Sequence, residues 1–186
     1  MSNTLFYIAG GALILLIVWI VATWNSFVGS RNKVDEAWSG IDVQLKRRHD
    51  LVPNLVETVK GYAAHERATL TEVTQARAAA MAANDPDDVA RAEGALSSAL
   101  GNIRVLAEQY PDLRAAENFQ SLQVQLSQLE DEIQAARRIY NSNVQNYNTR
   151  IQVFPNSLLA GGSFPAREFF ELDSPAERLA PAVSFA

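Results

Sequence analysis

Hydrophobic and polar positions along this chain fall into two regimes. Residues 5–24 read LFYIAGGALILLIVWIVATW without one charged side chain, and at about 1.5 Å of rise per residue such a helix crosses the ~30 Å hydrocarbon core of a bilayer. No water reaches that depth to satisfy backbone polar groups, so a lone span must be helical. Tyr7 toward one end, and Trp19 and Trp24 toward the other, stand where interfacial aromatics are favoured. From Val34 the pattern changes: Val34, Trp38, Ile41, Leu45, Val52, Leu55, Val59 and Tyr62 recur at steps of three and four, the period of a helix face packed on other helices. Arg48 occupies the slot of that stripe where an apolar residue is missing.

The stripe keeps its phase across Pro53, a residue that lacks an N–H and crowds the carbonyl four positions earlier. Asp50 and Asn54 beside it are good capping residues. The spacing therefore predicts two helices, over 27–49 and 51–83, joined by a tight turn or a kink. NDPDD at 84–88 is a stop followed by a start: Asp85 can cap, Pro86 suits the first helical position, and Asp87 and Asp88 complement the helix dipole. A third helix opens there, buries Val89, Leu96, Ile103, Leu106 and Tyr110, and ends before Pro111. Asp112 begins the longest periodic run, through Phe119, Leu122, Leu126, Leu129, Ile133, Tyr140, Val144, Tyr147 and Ile151.

No strand-like alternation interrupts this series. The expected fold is all-α: an N-terminal transmembrane helix, then an antiparallel up-and-down bundle of roughly four helices, then an irregular C-terminal tail. The corresponding segments are an anchor over 1–28, a helical domain over 29–154 and a Pro/Gly-containing tail over 155–186. In the tail, Phe164, Phe169, Phe170 and Leu172 are expected to pin part of it to the bundle.

Composition narrows the function classes. The 186 residues leave roughly 160 beyond the span, enough for one domain with its own core. A formal charge of −5 offers no electrostatic footprint for a polyanion, so nucleic acid is not an expected partner. Zero cysteines exclude disulfides, thiolate catalysis and Cys-based zinc sites. A cleaved signal peptide fits the N-terminus less well than an anchor, because no Lys or Arg precedes the apolar stretch, which exceeds the usual ~7–15 residues. Arg31 and Lys33 follow the span, with Lys46, Arg47 and Arg48 beyond, and this bias places the N-terminus outside and the body in the cytoplasm.

Candidate chemistry is sparse. His65-Glu66 starts an HExxH pattern, but Thr69 stands where the second histidine is required, so that zinc motif is absent. His49, Asp50, Glu57 and His65 could form a metal or acid–base cluster; a solvated polar face accounts for them better, since no third nitrogen ligand exists. Two basic doublets, Arg47-Arg48 and Arg137-Arg138, are the candidate interaction surface, to be weighed against salt bridges to Glu57, Glu130, Asp131 and Glu132. Arg48 is the sharper case: in a core-phase slot it needs a carboxylate or carbonyl partner, or it snorkels with its stem packed. Tyr140-Asn141 and Tyr147-Asn148 share a face seven residues apart and read as core hydroxyls with adjacent amides. Phosphate-binding loops, nucleophile–base pairs and paired catalytic carboxylates are not recognisable, so no catalytic, cofactor or metal residue is assigned.

The blocks RNKVDEAWSGIDVQLKRRHDLVPNLVETVKGYAAHE, YPDLRAAENFQSLQ, EDEIQAARRIYNSNVQNYN and the FP…FPAREFFE tail closely resemble the LemA family of bacterial membrane proteins, in the same order and over nearly the whole chain. Ala115-Ala116 departs from the Lys/Arg-Ala-Asn that relatives often carry, which weakens any role for a polar group there. The resemblance implies a single N-terminal membrane helix, an extracytoplasmic N-terminus and a cytoplasmic helical bundle, and it supplies no activity or catalytic residue.

The sequence thus leads to a single-pass protein of the bacterial inner membrane, held by residues 5–24. It is expected to be a non-enzymatic scaffold or adaptor working through self-assembly or contacts with another membrane protein, without cofactor or small-molecule substrate. The alternative is a regulatory partner of an integral membrane enzyme such as a protease.

Overall fold

A computed structural model describes residues 2–171. The described residues are helical and contain no strand. The first helix, α1, runs Ser2–Tyr62, and its N-terminal part is long and apolar enough to cross a membrane. Next come α2 (Arg67–Ala82), α3 (Pro86–Gln109), the single turn α4 (Pro111–Ala115) and α5 (Glu117–Gln152). Two short elements close the described chain, α6 (Ser157–Ala160) and a 3₁₀ turn over Gly161–Ser163. Gly161 takes φ +41°, in the left-handed region where a side chain is disfavoured.

Of the tight turn or kink expected between 27–49 and 51–83, the turn is not observed there. α1 continues through Pro53 and ends at Tyr62. A proline removes the N–H that would bond the carbonyl of residue 49, yet that carbonyl accepts instead from Arg77 Nε at 2.7 Å. With the orphaned acceptor satisfied by α2, the helix need not stop. The break falls at residues 63–66, where Ala63 is buried and Tyr110 Oη donates to Glu66 Oε1 at 2.9 Å. The predicted start of α3 is observed, with Asp85 Oδ1 accepting from the Asp88 N–H at 2.9 Å. That bond holds the Asp85 carboxyl below its usual range. The run expected from Asp112 is divided at Ala116, between α4 and α5.

By packing, the described residues divide into two compact units, those up to Gly40 with Ala136–Phe169, and Ile41–Ala135 with residues 170–171. In the second unit, Val52, Leu55, Val59, Val73, Leu96, Ile103, Leu113 and Phe119 belong to one hydrophobic cluster. Here α2 and α3 run antiparallel, marked by Glu66 with Tyr110 and Glu72 with Asn102. In the first unit α1 and α5 also run antiparallel. Asn143 Nδ2 donates to the carbonyl of Lys33 at 3.2 Å, and Arg150 donates to Ser26 Oγ. Trp24 and Phe27 meet Phe164 at ring-centroid distances of 4.9 and 5.0 Å.

The apolar phase assigned to α1 holds for Val34, Ile41, Leu45, Val52, Leu55 and Val59, all buried. It fails at its edges. Tyr62 is exposed, and Trp38 is half-buried, tilted against Tyr140 at 5.3 Å. Phe164 and Phe170 are buried as the tail aromatics were expected to be, Phe169 is exposed, and Leu172 lies outside the described residues.

Candidate functional site

The second unit buries a compact set of charged groups. On α1, Arg48 and His49 are 5% and 8% exposed; on α3, Glu93 is 0% exposed. Arg48 Nη2 donates to Ser97 Oγ at 2.7 Å, and Arg48 Nη1 lies 3.5 Å from Glu93 Oε2 and 3.4 Å from Glu130 Oε2. His49 Nε2 meets the other Glu93 oxygen at 2.5 Å. Of the two arrangements open to Arg48, the chain adopts the internal ion pair. α1, α3 and α5 each contribute a member, and α2 adds Arg77 through the His49 carbonyl.

Sequence reasoning missed Glu93, although a signal existed. Val89, Glu93 and Leu96 continue one stripe at steps of four and three, so Glu93 sits in a core-phase slot of α3 just as Arg48 does on α1. Two opposite charges in core slots of two helices are what a buried pair requires. The cluster is chemically able to orient an imidazole against a carboxylate. Its groups, however, are spent on one another, and no buried side-chain polar atom lacks a partner among the described residues.

The four histidine-region residues weighed as a cluster are not gathered. His49 is buried against Glu93, while Asp50, Glu57 and His65 are exposed. Among the described residues there is no group of three or more His, Asp or Glu suited to a metal ion.

Each basic doublet splits by environment. Arg47 is exposed, bonded to Gln44 and 3.5 Å from Glu132 Oε2, whereas its neighbour Arg48 is internal. Arg137 is half-buried and Arg138 exposed, both in the first unit. A groove of about 320 Å³ lies beside Arg47, lined also by Asp50, Leu51, Gln128, Leu129 and Glu132. It presents two apolar side chains between charges of both signs.

In the first unit the tyrosine–asparagine repeat does something the sequence did not reveal: it grips the main chain of the tail. Tyr140 Oη donates to the carbonyl of Glu168 and Tyr147 Oη to that of Pro165, each at 3.0 Å. Asn148 Nδ2 donates to the Arg167 carbonyl at 2.8 Å, and the Arg167 N–H donates back to Asn148 Oδ1 at 2.9 Å. The Arg167 guanidinium completes the attachment on Asp35 of α1 at 2.9 Å. Burial pushes both phenols above their ordinary ionisation range.

The model of the LemA family matches residues 37–185. Protein LemA of Metamycoplasma hominis is 30% identical over 138 residues, covering 73% of this chain and 63% of that protein's length. Magnetosome protein MamQ 2 of Paramagnetospirillum magneticum is 23% identical over 196 residues, covering 91% of this chain and 72% of its own. Magnetosome protein MamQ of Magnetospirillum gryphiswaldense is 23% identical over 175 residues, covering 80% and 64%. None of these names denotes an enzyme.

Proposed function

The chain belongs to the LemA family, and on that footing we propose that it is a membrane-anchored, non-enzymatic helical scaffold that works through contacts between proteins, chiefly with copies of itself. Residues 1–28 anchor it across the bacterial inner membrane, with the N-terminus outside. Residues 29–154, packed as an up-and-down bundle, and the tail over 155–186 lie in the cytoplasm. Arg31 and Lys33 directly after the uncharged stretch support that orientation.

The observation that carries this reading is the division of charge on α1. Arg48 and His49 are consumed inside the fold, whereas Arg47 stands exposed opposite Glu132 beside a groove containing Leu51 and Leu129. An exposed pair of this kind contributes only about 0–1 kcal/mol to folding, but complementary surface charge steers association and selects partners. Arg138 offers a further exposed cation on α5. The similarity to proteins named as magnetosome proteins is compatible with an organising role.

Cross-linking of full-length protein in native membranes tests it. Self-linked species should dominate in the wild type and diminish in Arg47→Glu/Arg138→Glu, with helicity and thermal stability retained. Capture of one other membrane protein in place of self-linked species would instead favour a regulator of an integral membrane enzyme. Undiminished assembly in the charge-reversed variant would remove these arginines from the contact.

A further inference from the structure

Two uncharged stretches, far apart in sequence, meet in the first compact unit. On α1 no Asp, Glu, Lys or Arg precedes Arg31; from the end of α5 onward, none occurs from Ile151 to Ala166. The antiparallel register brings them together. Lys33 pairs with Asn143 and Ser26 with Arg150, so a step forward on α5 is a step back on α1. Continued past Arg150, the register sets Val153 and Asn156 across a cleft from Ala22 and Thr23, within the apolar stretch itself. Thr23 is accordingly buried, and Phe164 lies against Trp24.

The segment carried to this level is strongly apolar on its outer side. Phe154 is 80% exposed and Leu158 72%. Two large apolar side chains so exposed in one short turn amount to a patch that a water-facing loop rarely carries. The first charged residues met on leaving it are arginines in every direction: Arg31 on α1, Arg150 on α5 and Arg167 in the tail. An apolar tip, a tryptophan packed on Phe164 in the same unit and arginines as the flanking charges form the pattern of a segment seated at the boundary between lipid headgroups and acyl chains.

We propose that the turn over residues 153–159 is a second membrane contact, with Phe154 and Leu158 entering the acyl boundary of the leaflet from which α1 emerges and Arg150 facing the lipid phosphates. This rests on the reading of α1 as a membrane span. The occupant is lipid, because the tip is continuous, within one packed unit, with the stretch of α1 that enters the bilayer. The end of α5 is thereby fastened to the membrane surface as well as to α1.

The natural chain has no cysteine, so single labels can be placed cleanly on the full-length protein. Val18→Cys, Phe154→Cys, Leu158→Cys and Ile139→Cys, all at exposed positions, are each coupled to an environment-sensitive fluorophore. The labelled proteins are reconstituted into phosphatidylcholine/phosphatidylglycerol vesicles whose lipids carry a quencher either near the headgroup or at the acyl terminus. The Phe154 and Leu158 labels should be quenched strongly by the shallow lipid and weakly by the deep one. Val18 should respond to the deep quencher. Ile139, about 20 Å along α5 from its end at Gln152 at 1.5 Å per residue, should respond to neither.

If Phe154 and Leu158 behave like Ile139 while Val18 is quenched, the second contact is wrong and the span stands. If Val18 is unquenched, the span reading fails and the contact fails with it. Labels at Phe154 and Leu158 shielded from both lipid quenchers and aqueous iodide would mean that protein, such as a second copy, covers the tip, which also overturns the proposal.

Discussion

Arg77 Nε donates to the main-chain carbonyl of His49 at 2.7 Å, the acceptor that Pro53 leaves without its helical donor. A charged donor to a partly buried carbonyl contributes about 1.5–3 kcal/mol, and Arg77→Ala should destabilise the full-length protein by that order. In a Pro53→Ala background the carbonyl regains a backbone donor, so the same substitution should cost distinctly less. Denaturant midpoints for the four combinations check this. Equal costs in both backgrounds would show that Arg77 acts through some other contact.

Among the described residues, Glu93 should be the most sensitive carboxylate. Its removal leaves Arg48 and His49 buried with fewer partners, and breaking a buried pair costs about 3–5 kcal/mol. Glu93→Leu should therefore lower the unfolding midpoint sharply, and adding Arg48→Met should restore part of the loss by deleting the uncompensated cation. A double variant no more stable than Glu93→Leu would count against the pair as the cause.

Tail attachment can be read amide by amide. The Arg167 N–H is protected by Asn148 Oδ1, so Asn148→Ala should accelerate its hydrogen exchange directly. Tyr147→Phe, which removes only the bond to the Pro165 carbonyl, should have a smaller effect there while costing about 0.5–1.5 kcal/mol of stability. Unchanged exchange at Arg167 in Asn148→Ala would dismiss the contact.

The same tyrosines set an alkaline limit. Burial raises the ionisation of Tyr140 and Tyr147 above the ordinary phenol value of 10.0, so the unfolded chain loses these protons first. Their contribution to stability is full below that value and declines as pH climbs through the folded values. Tyr140→Phe/Tyr147→Phe should flatten the alkaline decline in melting temperature. A decline as steep as in the wild type would assign it to other groups.

Periodicity made the helical class and the buried face of α1 legible because each of Val34, Ile41, Leu45, Val52, Leu55 and Val59 follows from local spacing alone. What it could not supply was partnership. Arg48 was visible as a charge in an apolar slot, but Glu93 lies 45 positions away, and no local rule links the two. Pro53 suggests a turn or a kink for a sound local reason, and the turn is avoided because Arg77, from another helix, takes the orphaned carbonyl. The real break at 63–66 contains neither Gly nor Pro and is tied by Tyr110 to Glu66. Arg47 and Arg48 are separable by phase, because adjacent helical residues point about 100° apart; what packing adds is the internal partner that Arg48 finds.

The clamp on the tail touches Pro165, Arg167 and Glu168 through their main-chain groups alone. Tyrosine and asparagine on α5 thus hold a backbone shape and read no letter of the sequence that adopts it, apart from the Arg167–Asp35 pair. Drift at positions 166 and 168 is consequently free of this contact, whereas a single change at Tyr147 or Asn148 is felt by the segment whatever its composition. The tail's conformation is written into α5 more than into the tail's own side chains.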